Sequence, residues 1–265
     1  MLKLDENNIG HDSSYFMSPD TDGFYKVKVQ RYFGLSQEVA GFHAALKGAG
    51  LKEMLDKEGR TWMILRTRMN INRIASWMDE YNIETWCQEG YRLYCPRCVR
   101  AYDKNSGELL FETQNLWVIM DMVKGRPERP SYIDSRLSYP DPAIRHFDPA
   151  FPKFPSPEEF ERSEVFPRKD IEVGYFDSDY NRHVNNISYV NWMLEAFSPA
   201  FLDTHEPEFM DTEWKKQCHY GDKVWVETRK KEGSDEFYSA IMHLDKDGNE
   251  EIAFHAVSRW RKKVL

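Results

Sequence analysis

The order of structure-forming segments constrains this chain more than any single residue does: a long helical stripe followed by several strand-like runs, then the same succession again. In the first stripe Leu35, Val39, Phe42, Leu46 and Ala49 recur at helical steps, with Ser36 near the start as a cap. In the second, Ile187, Val190, Leu194 and Phe197 recur behind Asn185-Asn186, and Pro199 limits the continuation. Strand-like runs follow the first helix at Trp62 to Met69, Thr85 to Tyr102 and Leu109 to Asp121, with a turn at Lys104 to Gly107. They follow the second at Phe209 to Cys218, Lys223 to Lys231, Phe237 to Leu244 and Glu251 to Trp260, with turns at Tyr220 to Asp222 and Asp245 to Asn249. A strand is also expected before each helix, at Phe24 to Tyr32 and Asp170 to Phe176.

A strand, one long helix and an antiparallel meander bury the helix only if the sheet wraps around it. The expected class is therefore α+β, a tandem hotdog fold. The proline-dense stretch Pro140 to Pro157 divides the halves, giving domains over residues 1–139 and 161–265 and an extended linker over 140–160. With 265 residues, 41% hydrophobic and 30% charged, the chain has enough apolar material for two such cores and does not resemble a disordered one.

A balance of 36 Lys+Arg against 44 Asp+Glu leaves a net charge of −8, which repels phosphate backbones, so no nucleic-acid partner is expected. No window holds the roughly 20 apolar residues of a membrane helix, and Met1 to Glu6 lacks the apolar run of a signal peptide. These features predict a cytoplasmic chain with no membrane span. The four cysteines, Cys87, Cys95, Cys98 and Cys218, are too few for a disulfide scaffold. Cys95-Pro96-Arg97-Cys98 has no second ligand pair for zinc and lies in a strand-like run. It reads as two inert thiols flanking a proline that bends or bulges the strand, and no metal or cofactor is expected.

The richest chemistry lies at Asp177-Ser178-Asp179-Tyr180-Asn181-Arg182-His183-Val184-Asn185-Asn186, just before the second helix. Such side chains are costly to bury without partners. In extended backbone Asp179, Asn181 and His183 would point to one side, where a carboxylate orients an imidazole and an amide holds a substrate or water. His183 titrates near neutrality and can shuttle a proton, and the first turn of the helix offers N–H donors to a developing oxyanion. Asp and Asn are equally common in turns and caps, so a structural use of the same residues competes with the chemical one.

At these residues the chain resembles the acyl-acyl carrier protein thioesterase family of plants and bacteria. The family's Asp-x-Asn-x-His-Val-Asn-Asn run reads here as Asp179 to Asn186, followed by Tyr189, Trp192 and Glu195. Gly59 to Arg66, Glu84-Thr85-Trp86, Gly107 to Leu110 and Leu116 to Asp121 are similar to first-half blocks in order. The resemblance implies a double hotdog fold and hydrolysis of the thioester between a fatty acyl chain and acyl carrier protein, by monomer or homodimer. It implies that Asn181 and His183 are catalytic, with Asp179 the orienting acid. A Glu-Cys pair usually completes the family site; here Cys218 matches and Gln217 replaces the Glu.

Gln holds water but is no carboxylate base. The expected route is direct attack by a water oriented by Asn181 and Gln217 and deprotonated through His183 and Asp179. Cys218 is otherwise buried packing, or a nucleophile if His183 is within hydrogen-bond reach. The first domain, which lacks the Asp-x-Asn-x-His segment, is expected to hold the alkyl tail in a dry slot near Trp62, Trp86 and Trp117, so that Ala45→Phe would shorten the preferred chain. Lys215-Lys216, Arg229 to Lys231 and Arg259 to Lys263 are candidate patches for the acidic carrier. Three other readings compete: an acyl-CoA thioesterase, a non-catalytic acyl-binding module, and a double hotdog hydratase. The hydratase motif has Pro where Arg182 stands.

Overall fold

The first helix begins earlier than its apolar stripe suggests. Val29, Tyr32, Phe33 and Ser36 step at helical intervals and are all buried, so α1 runs over Val29–Leu46 and takes up part of the segment expected as a strand from Phe24 to Tyr32. Ser36 is then mid-helix rather than a cap. The computed structural model describes residues 2–142, 147–162, 166–179 and 182–263. The chain divides into two compact units, Met1–Pro152 and Lys153–Leu265.

In the first unit β1 (Lys3–Leu4) and β2 (Gly10–Tyr15) precede α1, and α2 (Leu51–Glu58) follows it. Gly59, at φ +62°, ends α2 in the left-handed conformation and starts β3 (Arg60–Ile71). β4 (Glu80–Cys87), β5 (Cys95–Asp103), β6 (Leu109–Asp121) and the short β7 (Arg126–Pro127) complete the sheet. Its order is β1-β2-β4-β5-β6-β3, with β7 on the β6 edge and the consecutive partners antiparallel. Pro96 sits within β5 in regular register opposite Leu116; the irregularity falls at Ala101/Tyr102, so the proline is not where the strand bulges. Burial pushes the Cys95 and Cys98 thiols up to about 12, which keeps both protonated and unreactive.

The face of α1 turned to the sheet is rotated by roughly a quarter turn from the apolar stripe. Leu35 and Val39 are buried as expected, but Phe42 and Leu46 are 60% and 53% exposed, and Ala45 is exposed beside them. The core side carries Ser36, Ala40, His43 and Ala44 instead. Ser36 Oγ lies 2.9 Å from Thr113 Oγ1, and Thr67 Oγ1 donates to Asn115 Oδ1 at 2.7 Å. His43 Nδ1 accepts from Arg97 Nη1 at 3.2 Å while Nε2–H donates to the Asn8 carbonyl at 2.9 Å, a pairing that fixes the neutral tautomer. Substitution at Ala45 therefore meets solvent, not an acyl chain. Trp62 and Trp117 share one cluster with Ala44, Ala49 and Met54, whereas Trp86 packs with Ile9, Cys98 and Phe147, so the three tryptophans do not line one slot.

In the second unit β8 (Glu161–Arg162) and β9 (Lys169–Glu172) lead to α3 (Asn186–Leu194) and α4 (Pro199–Thr204), then β10 (His205–Trp214), β11 (Lys223–Lys230), β12 (Glu236–Leu244) and β13 (Glu250–Lys262). The antiparallel order is β10-β13-β12-β11, with β8 and β9 on the free side of β11. Tyr189 of α3 packs on Phe254 and against its helix neighbour Trp192, and Phe197 packs with Phe237 and Trp260, which seats the helix on the sheet. Both units thus hold a helix against an antiparallel sheet, the hotdog arrangement. Described parts of the proline-dense stretch make contacts inside each unit. Gln88 bonds both the N–H and the carbonyl of Phe147, and Arg66 donates to the Pro152 carbonyl at 2.8 Å. Phe154 stacks on His255 with ring centroids 3.8 Å apart.

Burial, with repulsion from Arg97, lowers the His43 imidazole from 6.5 to about 4, so folding favours its neutral form. Stability from this group is complete above pH 6.5 and is lost as pH falls towards 4, by an amount on the order of 3 kcal/mol. Urea unfolding across that window should show the slope in the wild type and a flatter one in His43→Gln.

Candidate active site

The chemistry-bearing segment is built from turns. After β9, a 3-10 turn at Tyr175–Asp177 is closed by Asp177, whose carboxylate accepts the Gly174 N–H at 2.9 Å. The Asp177 carbonyl accepts the Asn185 N–H at 2.7 Å, so one residue gathers both ends of the loop. Inside it, Ser178 bridges Val184, the Asp179 N–H donates to the His183 carbonyl at 2.8 Å, and the Arg182 N–H to the Asp179 carbonyl at 3.0 Å. Arg182 takes φ +61°. Asp179 and His183 therefore meet across a tight turn rather than by alternation along extended backbone. Asn181, like Tyr180, lies outside the described residues.

Asn185 caps α3, its Oδ1 accepting from the Ile187 N–H at 2.8 Å. That donor serves the cap, which removes it from the set available to an oxyanion. The helix is anchored below by Tyr189, whose hydroxyl accepts from the Cys218 N–H at 2.8 Å and donates to the Lys216 carbonyl at 3.4 Å.

Opposite stands the loop after β10. That strand ends at Trp214, so Gln217 and Cys218 lie beyond it and not within it. The Val184 N–H donates to the Cys218 carbonyl at 2.8 Å, joining the two loops by backbone. Gln217 is exposed, while Cys218 is fully buried. Burial raises the Cys218 thiol to about 11, against a hydrogen bond with Tyr189. The His183 ring is half-buried and packs edge to face on His219, with centroids 5.1 Å apart and planes at 84°. Burial lowers the His183 pKa below 6.5, His219 lowers it further, and the Asp179 carboxylate acts in the opposite sense.

Three of the expected residues, Asp179, His183 and Cys218, are thus gathered on two facing loops, with Gln217 on the solvent side of the second. The arrangement offers a neutral imidazole near a carboxylate and a protonated thiol, which suits proton transfer better than thiolate attack. Sequence reasoning gave no role to Tyr189 beyond the motif, nor to His219 and Asp222; only their proximity in space brings them in. Among the described residues no group of three or more His, Cys, Asp or Glu side chains is placed to hold a metal ion. No helix among them is long and apolar enough to cross a membrane.

Residues 11–131 match the family model described as the acyl-ACP thioesterase N-terminal domain, and residues 160–262 match the C-terminal domain of the same family. The oleoyl-acyl carrier protein thioesterase 1 of Arabidopsis thaliana is 26% identical over 238 residues, covering 83% of this chain and 64% of its own length. A palmitoyl-acyl carrier protein thioesterase of Cuphea hookeriana is 26% identical over 197 residues, 69% of this chain and 45% of its own length. The chain thus spans less than two thirds of the length of these curated relatives. Among solved structures, an acyl-ACP thioesterase of Bacteroides thetaiotaomicron superposes with a TM-score of 0.79 at 19% identity, covering 97% of this chain and 99% of that one. The 12:0-ACP thioesterase of Umbellularia californica gives 0.76 at 19% identity, covering 97% and 98%. These two likenesses establish the fold, and the matches to both domain models in their proper order place the chain in the acyl-ACP thioesterase family.

Proposed function

We propose that the protein hydrolyses the thioester joining a fatty acyl chain to the phosphopantetheine of acyl carrier protein, releasing the free fatty acid. The observation that carries this reading is His183, half-buried at the mouth of α3 beside the Asp179 carboxylate, in a chain whose two halves match the two domains of one thioesterase family. Neutral His183 takes a proton from water, the oxygen adds to the thioester carbon, and the C–S bond breaks with its electron pair on sulfur. Asn181 and Gln217 orient the water in this scheme. Cys218 stays a thiol: its pKa near 11 and its bond to Tyr189 suit packing rather than attack.

The alkyl tail belongs in the first unit, where the apolar cluster of Trp62, Trp117, Ala44, Ala49 and Met54 is the best place for a dry slot. Ala44 on the buried side of α1 replaces exposed Ala45 as the position that bounds it. Ala44→Leu should shift the product profile towards shorter acids while Ala45→Leu leaves it unchanged; identical profiles from both variants would remove the tail from this cluster.

For the acidic carrier, the cationic candidates differ in their local partners. Lys230 and Lys231 pair with Asp235 and Glu236 at 3.0 and 3.1 Å, and Arg261 with Glu206 at 2.8 Å. Lys215 is exposed two residues before Gln217, and beside it Lys216 stands 3.4 Å from Glu251. The double change Lys215→Glu/Lys216→Glu should slow association with acyl carrier protein, more so at low salt; rates insensitive to both charge and salt would remove this patch from docking.

Release of free thiol from acyl-acyl carrier protein and from acyl-CoA tests the central reading. Thiol should appear with the carrier substrate, and His183→Ala should lower the rate by about 10²- to 10⁴-fold. Because the base form of His183 is required, activity should persist below pH 6.5 and fall only through the lowered value. Cys218→Ala should keep turnover within a few-fold; complete loss with the fold intact would replace the water route by an acyl-enzyme. Faster release from acyl-CoA would reassign the substrate, and no release from either would leave an acyl-binding module.

A further inference from the structure

The family pattern gives His219 no part in the reaction, yet its ring is the one that packs edge to face on His183, with centroids 5.1 Å apart. Two backbone devices fix that approach. The Val184 N–H bond to the Cys218 carbonyl at 2.8 Å ties the two loops together one residue from each ring. The Asp222 N–H then donates to the His219 carbonyl at 3.0 Å, closing a turn in which Gly221 takes φ +86°. Asp222 also answers with its side chain: its Oδ2 accepts the His219 N–H at 2.8 Å and stands 3.9 Å from His219 Nδ1. The His219 side chain is 57% exposed, so solvent reaches its ring. His183 is the more enclosed of the two. Two imidazolium rings at this separation repel, so the pair holds one proton more readily than two. Asp222 gives that proton a carboxylate neighbour on the His219 side.

We propose that His219, steadied by Asp222, is a second acid–base residue of this site and protonates the departing sulfur; the inference rests on the thioester hydrolysis proposed above. Water gives one proton to neutral His183, and its oxygen forms the new bond to the carbonyl carbon. The tetrahedral species expels sulfur with the C–S electron pair, and the His219 imidazolium supplies the proton that turns thiolate into thiol. The proton on His183 then passes through solvent to His219, restoring both rings. The net change is thioester plus water to acid plus thiol. The ionisable groups around the pair are Asp179 on the His183 turn, Asp222 and the buried Cys218 on the facing loop, and the Tyr189 phenol of α3. This division of labour places two imidazoles beside Gln217, whose amide serves as neither acid nor base.

His219→Ala and Asp222→Asn, compared with wild type and His183→Ala on one acyl thioester, test the assignment. His219→Ala should lower kcat about 10-fold or more with KM changed less than about twofold, and imidazole in the buffer should restore part of the rate. Asp222→Asn should lower kcat by less. In an NMR titration, which needs no turnover, the His183 ring should titrate at higher pH once the facing ring is gone. An active wild type with unchanged kcat in His219→Ala overturns the role of His219 and leaves the hydrolase reading intact. Loss of kcat without imidazole rescue, with His183 titrating as before, marks a structural effect and also overturns it. A wild type that releases no thiol overturns both readings.

Discussion

One backbone hydrogen bond, from the Val184 N–H to the Cys218 carbonyl, sets the distance between the two loops that carry every described candidate residue. Neither loop belongs to a helix or a long strand, so neither has a ladder to fix its position. Asp177 gathers one loop by accepting from Gly174 and Asn185, Tyr189 supports the other from below, and the Val184 bond couples them. The aromatic packing of α3 on Phe254 gives this assembly a rigid floor. The chemistry is therefore positioned by a handful of main-chain contacts resting on an apolar base.

Much of the architecture was legible because period-2 and helical patterns survive wherever a sheet covers a helix. The two helices, the meanders after them and the turn at Lys104 to Gly107 are visible in the sequence, although α3 stops at Leu194 and leaves Phe197 of the expected stripe outside it. That turn is held in the fold by Asp103 accepting from Asn105 and Ser106. The phase of α1 was not legible. Its buried side includes Ser36 and His43, which look like surface residues until Thr113, Asn8 and Arg97 appear as their partners across the core. Conversely Phe42 and Leu46 look like core and face solvent. Periodicity measures hydrophobicity, and a core that satisfies its own polar groups escapes it.

The candidate site shows the same division. The motif from Asp179 to Asn186 marks its place on the chain, but the closed turn between Asp179 and His183 is a long way from the extended backbone that alternation assumes. The partnership of His183 with His219 spans two segments joined only in space, and nothing in the spacing announces it. Asn185, read as both cap and possible chemistry, is occupied by capping.

Arg97 lies almost wholly buried, and the partners it donates to are all neutral: the His43 imidazole at 3.2 Å, the Thr85 hydroxyl at 3.2 Å and the Cys87 sulfur at 2.7 Å. A cation in such a setting is tolerated only while each of those lone pairs stays in place. Replacing any one with an aliphatic group strands part of the guanidinium, and exchanging the arginine alone strands the buried His43 Nδ1 lone pair. The four side chains therefore act as one unit, in which the loss of any member leaves a buried polar group of another without its partner.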